Sequence, residues 1–236
     1  MLTFGLDTAG KTAAVAILDD DRLLYENFID CGLTHSETML PLIDGAFKAT
    51  GLTPADVNLW GVCSGPGSFT GLRIGLAAVK GLAFATNAPC APVSTLEALA
   101  LGCLGGEGTV LCALDARRRE VYWAAFDLKN GERLAPDQAA PVKNLSDFVQ
   151  NCKKPLFFVG DGAALCYNEY GELPGIIKAP AALSRCRGAA VALAAKRCME
   201  RGECVAPARL APNYHRLSQA ERERAARIKA EGENKE

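Results

Sequence analysis

Histidine is almost missing from this chain: His35 and His215 are the only two in 236 residues. A zinc protease needs two histidines a helical turn apart, and four places after His35 stands Met39, so that chemistry is excluded and no metal site is expected. There is no Gly-x-Ser-x-Gly elbow and neither histidine is near Ser68 in sequence, so no nucleophile–base pair and no catalytic residue can be nominated. An excess of positive charge is lacking too. The 26 basic residues are balanced by 27 acidic ones, for a net charge of −1, whereas a chain that holds nucleic acid by itself must neutralise phosphates. Tight, direct nucleic-acid binding is therefore not expected. No apolar run reaches the length of a membrane span, and the Met1 end has no basic segment followed by an apolar one, so no secretory signal peptide is expected. The ten cysteines, at positions 31, 63, 90, 103, 112, 152, 166, 186, 198 and 204, include no CxxC pair and no Cys/His spacing suited to zinc. Cys63 and Cys112 lie inside apolar runs, where a free thiol behaves as a small buried hydrophobe. A reducing, cytoplasmic compartment fits that usage.

What is present is an ordinary globular composition, 49% hydrophobic and 22% charged, arranged in a repeating grammar. Residues 2–6, 13–18 and 23–29 read as short strands, joined by Asp7-Thr8-Ala9-Gly10 and by Asp19-Asp20-Asp21. A helix over 36–49 follows, with Leu40, Ile43 and Phe47 recurring at helical spacing and Gly51 as its stop. Next come a buried strand over 57–63, a glycine-rich turn, an apolar helix over 70–86 and a short strand at 91–93. Ser94, with Glu97 in the capping-box position, opens a further helix. The second half repeats the order: strand 110–114, charged turn 115–119, strand 121–128, helix 145–151, strand 156–159 and an alanine-rich helix over 188–201. This pattern predicts an α/β protein of two lobes, residues 1–105 and 106–215, each a β-meander followed by a βαβ unit. Residues 216–236 hold 11 charges, six positive and five negative, and are expected to form a solvated helix or tail.

Two glycine motifs invite a nucleotide reading. Gly5-x4-Gly10-Lys11-Thr12 matches the letters of a Walker A loop, but that loop works only where it opens onto a helix whose first N–H groups hold phosphate. Here the apolar run of 13–18 is followed at once by three aspartates, which favours a hairpin. Gly65-Pro66-Gly67-Ser68-Phe69-Thr70-Gly71 sits between strand and helix, as a dinucleotide fingerprint would. Its third glycine is one place late, Pro66 removes a backbone donor and no acid ends the strand near Val93, so a tight turn permitting close approach is the better reading.

The helices are more informative. Over 70–86, Leu72, Ile74, Leu76, Val79, Leu82 and Phe84 are spread nearly all round, only Arg73 and Lys80 are charged, and Gly71, Gly75 and Ala78 form a stripe of small residues. The helix over 36–49 is similar in Met39, Leu40, Leu42, Ile43, Ala46 and Phe47. Helices that are apolar all round must be covered all round. In a chain of this size two such neighbours predict a patch covered by a partner, on the scale of ~800 Å² per side, with burial by the second lobe as the alternative. The docking surface is assigned to Met39, Leu40, Ile43 and Phe47 on the first helix, and to Gly71, Leu72, Arg73, Gly75, Leu76, Val79 and Lys80 on the second.

Gly65-Pro66-Gly67-Ser68-Phe69-Thr70-Gly71-Leu72-Arg73-Ile74-Gly75 resembles the signature of the TsaB (YeaZ) family, the dimerization subunit of the bacterial tRNA threonylcarbamoyladenosine complex. The similarity extends to Leu6-Asp7-Thr8, to residues 35–43, to Val93-Ser94-Thr95-Leu96 and to Asp115-Ala116-Arg117-Arg118 with Glu120-Val121-Tyr122. Ala211-Pro212-Asn213-Tyr214-His215-Arg216 resembles the family's C-terminal motif, with His215 in place of a leucine.

The resemblance implies an actin/Hsp70/sugar-kinase-type (ASKHA) fold of two ribonuclease-H-like lobes. It implies pairing with the paralogous catalytic subunit TsaD through the two apolar helices, and an assembly that the ATPase TsaE joins. That assembly would transfer a threonylcarbamoyl group to the adenosine beside the anticodon of tRNAs reading codons that begin with A. The present chain would then be a non-catalytic scaffold, meeting tRNA only through the complex, holding ATP or ADP only within it, and open to self-pairing when alone. The departures agree with that role. Met39 stands where the catalytic paralogue carries the second histidine of a metal pair, Gly160-Asp161-Gly162-Ala163-Ala164 looks like a worn nucleotide-binding loop, and arginines, not glycines, follow Asp115. The competing expectation is an independent ATP-dependent kinase or ATPase of the same fold, using Asp7, Thr8 and Lys11 around a phosphate.

Overall fold

In the computed structural model, which describes residues 1–215, the repeating grammar becomes two five-stranded sheets of the same design. The charged segment 216–236, expected to be a helix or tail, lies outside the described residues. Strands β1 (Leu2–Asp7), β2 (Ala13–Asp19) and β3 (Arg22–Ile29) form an antiparallel meander. Helix α1 (His35–Thr50), strand β4 (Leu59–Gly65), helix α2 (Phe69–Thr86) and strand β5 (Cys90–Ser94) complete the first sheet, in the order β3-β2-β1-β4-β5 with β1, β4 and β5 parallel. Helix α3 (Thr95–Leu101) leads to the second sheet: β6 (Thr109–Asp115), β7 (Glu120–Asp127), β8 (Arg133–Pro141), α4 (Ser146–Asn151), β9 (Leu156–Val159), α5 (Ala163–Tyr170) and β10 (Ile176–Lys178), ordered β10-β9-β6-β7-β8. A three-stranded meander extended by parallel strands, twice over, is the ASKHA arrangement that the resemblance implies.

Burial alternates along the strands as a sheet covered on both faces requires. In β6, Val110, Cys112 and Leu114 point to the core shared with the first sheet, while Leu111 and Ala113 point to a second core under α4 and α5. Three elements of the second lobe escape the sequence pattern: strand β8, helix α5 and strand β10. Strand β8 reads Arg-Leu-Ala-Pro-Asp-Gln-Ala-Ala-Pro, and it is tolerated because it is an edge strand, where a proline need not donate to a ladder. The three-residue β10 is the other edge.

The lobe boundary also needs correction. Helix α6 (Gly188–Glu200), assigned to the second lobe by its place in the chain, packs across β1, β2, β4 and β5 of the first sheet and against α3. Helices α3 and α6 thus form a central layer between the sheets, with α1 and α2 on the outer face of the first. The approach of α6 is backbone to backbone: a Cβ on Gly5 would collide with the Gly188 carbonyl oxygen and come within 2.6 Å of Ala192 N, and one on Gly61 would lie 2.6 Å from Ala195 Cβ.

Local signals set the outer helices. Thr34 and Glu37 form a capping box at the start of α1, with the Thr34 hydroxyl 2.6 Å and its backbone N–H 3.0 Å from the Glu37 carboxylate. Gly51 ends it at φ 70. Ser68 caps α2. By length and composition α2 is apolar enough to cross a membrane, which departs from the expectation that no run reaches that length. Its 18 residues alternate glycine and alanine with large aliphatics, and in the fold it lies against β4 with 33% of the span buried.

Two glycine substitutions should act in opposite directions. Gly5→Ala should destabilise by about 1–3 kcal/mol or more, because the α6 backbone has to move away. Gly81→Ala, exposed in mid-α2 with nothing within 4 Å of the added methyl, should stabilise by ~0.5–1 kcal/mol. Urea unfolding of the two variants beside the parent measures both; equal effects would contradict this packing.

Candidate functional site

The turn from β1 into β2 carries the residues singled out as phosphate ligands. It is a hairpin, as its sequence context predicts, and no helix follows it. Asp7 is 1% exposed and Thr8 fully buried. The Asp7 carboxylate accepts the Ala9 N–H at 2.9 Å, and burial pushes its pKa up to about 6. Thr8 donates its hydroxyl to the Gly71 carbonyl at 2.8 Å, so it plugs the turn into α2. His35 donates from Nε2 to the Gly10 carbonyl at 2.9 Å and closes the same turn from α1. Only Lys11 of the three phosphate candidates is exposed.

Between the lobes lies a cleft of about 390 Å³, bounded by Gly10 and Lys11 on one side and by Asp115, Arg117 and Asp161 on the other. The acids there are already engaged. Asp161 accepts the Asp115 N–H at 2.9 Å, and Asp115 accepts the Arg117 N–H at 2.7 Å and pairs with its guanidinium at 3.5 Å. Arg117, Arg118 and Arg119 hold φ values of 66, 56 and 60, a left-handed turn that ordinarily costs roughly 1–2 kcal/mol per residue. The worn loop at 160–162 is packed onto the end of β6: Gly162 N–H donates to the Ala113 carbonyl at 2.9 Å, and a Cβ on Gly160 would strike that same oxygen.

A feature that sequence reasoning missed is the strap at 207–215. Lys80 donates to the carbonyls of Ala208 and Leu210 at 3.0 and 3.4 Å, and Asn213 N–H donates to the Ser64 carbonyl at 2.8 Å. Arg73 donates from Nε to the Tyr214 hydroxyl at 2.8 Å and lies 4.0 Å over the Phe69 ring, which stacks on Tyr214 with centroids 4.3 Å apart. Gly65 is needed here: a Cβ on it would meet the Asn213 carbonyl. The reading of the 65–71 loop as a tight turn for close approach therefore holds.

The residues assigned to a docking surface divide sharply. Met39, Ile43, Gly71, Leu72, Gly75, Leu76 and Val79 are buried within the chain's own core, and Phe47 is half-buried against Phe4 and Trp60. The stripe of Gly71 and Gly75 serves Thr8 of the same chain, not a foreign helix: added Cβ atoms there would strike the Thr8 carbonyl and hydroxyl. Arg73 and Lys80 hold the strap. Leu40 alone of the eleven is an exposed apolar residue, at 60%. The outward face of α2 is made instead by Ala77, Gly81, Phe84 and Ala85, with Phe84 67% exposed and Ile74, Ala78 and Leu82 half-buried beside them. Core periodicity and surface periodicity are both close to 3.6 residues, so spacing alone does not tell which side of an all-apolar helix faces the sheet.

Two ribonuclease-H-like sheets around a central helical layer, with an interlobe cleft and two long outer helices, define a two-lobed protein of the ASKHA class. The family model described as "TsaD: tRNA N6-adenosine threonylcarbamoyltransferase" matches residues 30–223, and the tRNA threonylcarbamoyladenosine biosynthesis protein TsaB of Bacillus subtilis is 30% identical over 167 residues, 70% of this chain and 73% of that one. The chain belongs to the TsaB (YeaZ) family. TsaB of Escherichia coli is 37% identical over 128 residues, a match that spans 53% of this chain and 55% of the relative. Among solved structures, YeaZ from Pseudomonas aeruginosa is 28% identical with a TM-score of 0.73, covering 89% of this chain and 98% of that one. The ethanolamine utilization protein EutJ from Carboxydothermus hydrogenoformans, at 11% identity and a TM-score of 0.51 over 82% of this chain and 90% of that one, shares the fold alone.

Arg73→Ala should free the strap without unfolding the lobe. The expected loss is about 1 kcal/mol of global stability, from one hydrogen bond and one cation–π contact, with faster amide exchange at Asn213 and unchanged protection in β4. Unchanged exchange at Asn213 would show that Arg73 does not hold the strap.

Proposed function

We propose that this chain acts in tRNA threonylcarbamoyladenosine biosynthesis as the non-catalytic subunit that docks on the catalytic paralogue TsaD. The observation that carries the reading is the outer face of the first lobe. There α1 and α2 lie side by side on one sheet and turn Leu40, Ala77, Gly81, Phe84 and Ala85 to solvent. An exposed apolar run along one helix face, with Leu40 exposed on the neighbouring helix, suits a protein–protein contact. Gly81 and the alanines keep the face low, so that a facing helix can approach closely around the Phe84 knob. Membership of the TsaB family supplies the pathway, and the names of the B. subtilis and E. coli relatives place those proteins in it. TsaE and tRNA then meet this chain within the assembled complex, in the cytoplasm, and a chain lacking its paralogue pairs with its own copy through the same face.

An independent kinase or ATPase built on Asp7, Thr8 and Lys11 is less well supported. Asp7 and Thr8 are buried, Thr8 is committed to Gly71, and the acids on the opposite wall of the cleft are held by their own backbone. Any nucleotide in the cleft therefore belongs to the assembled complex.

Phe84→Glu and Leu40→Glu place charge on the outward face and should each abolish co-elution with the paralogue on size exclusion. The thermal unfolding of the isolated chain should stay within about 0.5 kcal/mol of the parent, as for a surface change. Gly75→Leu is unsuitable for this purpose, since it collides with Thr8 and damages the fold. Intact co-elution by both charged variants, or an unchanged level of the modified nucleoside after depletion of the chain, would refute the reading.

A further inference from the structure

Behind the β1–β2 turn, three side chains that are distant in sequence converge. Asp7 at the end of β1, Cys63 in β4 and Cys186 in the segment leading to α6 are all buried, and their ligand atoms lie within 4.8 Å of one another. No other group of three histidine, cysteine or acidic side chains among the described residues is so placed. The set is directly bordered by a small cavity of about 20 Å³, large enough for a single water. Asp7 and Cys186 line that cavity together with Asp161 and Thr95. Thr95 is 1% exposed, and its hydroxyl has no hydrogen-bond partner among the described residues.

We propose that Asp7, Cys63 and Cys186 bind one soft divalent cation, zinc being the closest fit, with a water in the adjoining cavity as the fourth ligand. Two thiolates and a carboxylate are a donor set suited to zinc, with Zn–S of about 2.3 Å and Zn–O of about 2.0–2.2 Å. Atoms already within 4.8 Å of one another need move inward by no more than ~0.9 Å each to reach those lengths. The Ala9 N–H, 2.9 Å from Asp7 Oδ1, fixes the carboxylate from behind, as outer-shell partners of metal ligands do. The fourth-position water would take the Thr95 hydroxyl as its partner.

Charge is balanced to within one unit. The metal binds as the two thiols release their protons to solvent, leaving two thiolates and one carboxylate around a dication. Lys11 and Arg185, the latter also paired with Asp30 at 3.3 Å, line the same cavity and offset the residual negative charge. The site joins β1, β4 and the segment that carries the chain back to the first sheet, so its role is structural: it pins α6 in register against the glycines of β1 and β4.

Cobalt is the probe that separates this from three buried groups hydrogen-bonded to one another. Fully reduced, chelator-treated full-length chain is titrated with Co²⁺, and zinc per chain is measured by mass spectrometry after dialysis. About one metal per chain is expected, with the intense visible bands of tetrahedral cobalt and thiolate-to-metal charge transfer in the near ultraviolet. Both should be lost in Cys63→Ala and in Cys186→Ala, and kept in Cys166→Ala, which empties a buried thiol of the other core. Zinc should raise the melting temperature of the parent and of Cys166→Ala but not of the two ligand variants, each confirmed to be folded by circular dichroism. A folded, reduced parent without cobalt bands overturns the proposal. So does equal metal uptake by the ligand variants, or a Cys63–Cys186 disulfide, seen as the loss of two hydrogens, in protein from a reducing cytosol.

Discussion

The rest of this structure depends on the close seating of α6 against the first sheet. Gly5 and Gly61 on the sheet face Gly188, Ala192 and Ala195 on the helix, and no larger side chain fits between the two backbones. The inner face of the sheet is thereby filled by a helix that arrives from the far end of the chain. The second lobe does not reach round to cover α1 and α2, because α6 and α3 already occupy the space between the sheets. The outer helices consequently have one buried side and one bare side. The return of the chain to α6 also brings Cys186 to Asp7, across 179 positions of sequence, so the buried thiol–carboxylate cluster is a consequence of the same contact.

Helix α2 shows how little of an apolar helix its own fold needs. Leu72, Leu76, Val79 and Ala83 lie on β4, and the Thr8 carbonyl and hydroxyl fill the spaces left by Gly71 and Gly75. That face alone satisfies the lobe. Phe84 and Leu40, at 67% and 60% exposed, contribute nothing to it. Burying such a side chain is worth roughly 1.5–3 kcal/mol, a gain available only to an encounter that also overcomes the loss of rotational and translational freedom. Polar residues at these positions would leave the monomer unharmed, so stability of the monomer is no reason for their being apolar.

Much of this was legible beforehand, and the failures have identifiable causes. The meander, the βαβ unit and the hairpin at Asp7 follow from apolar runs punctuated by turn residues, and the Walker-like letters form the hairpin that the three following aspartates favour. Strand β8 escaped because two prolines and an aspartate are permissible on an edge. Seven of the eleven residues assigned to docking are buried in the chain's own core, since an all-apolar helix carries no sequence mark of its inner face. The strap escaped because its contacts are mostly to backbone carbonyls, and a carbonyl is common to every residue. The Asp7, Cys63 and Cys186 cluster has no sequence spacing at all and exists only through the path of the fold.

The two lobes share one topology and differ in what covers them. On the second sheet, α4 and α5 are 6 and 8 residues long, where α1 and α2 on the first are 16 and 18. Short helices suffice to close a sheet, as the second core shows, where Val149, Cys166 and Tyr170 seal Phe158 and Leu156. The additional turns of α1 and α2 therefore exceed what covering requires. Extra length brings extra backbone ordering at a cost of about 1–2 kcal/mol per residue; outward, α1 carries Glu37, Asp44 and Lys48 beside Leu40, whereas α2 past Arg73 carries Ala77, Gly81, Phe84 and Ala85. Length is thus common to both outer helices while a mainly apolar outward face belongs to α2, and it is this face that the proposed docking would cover.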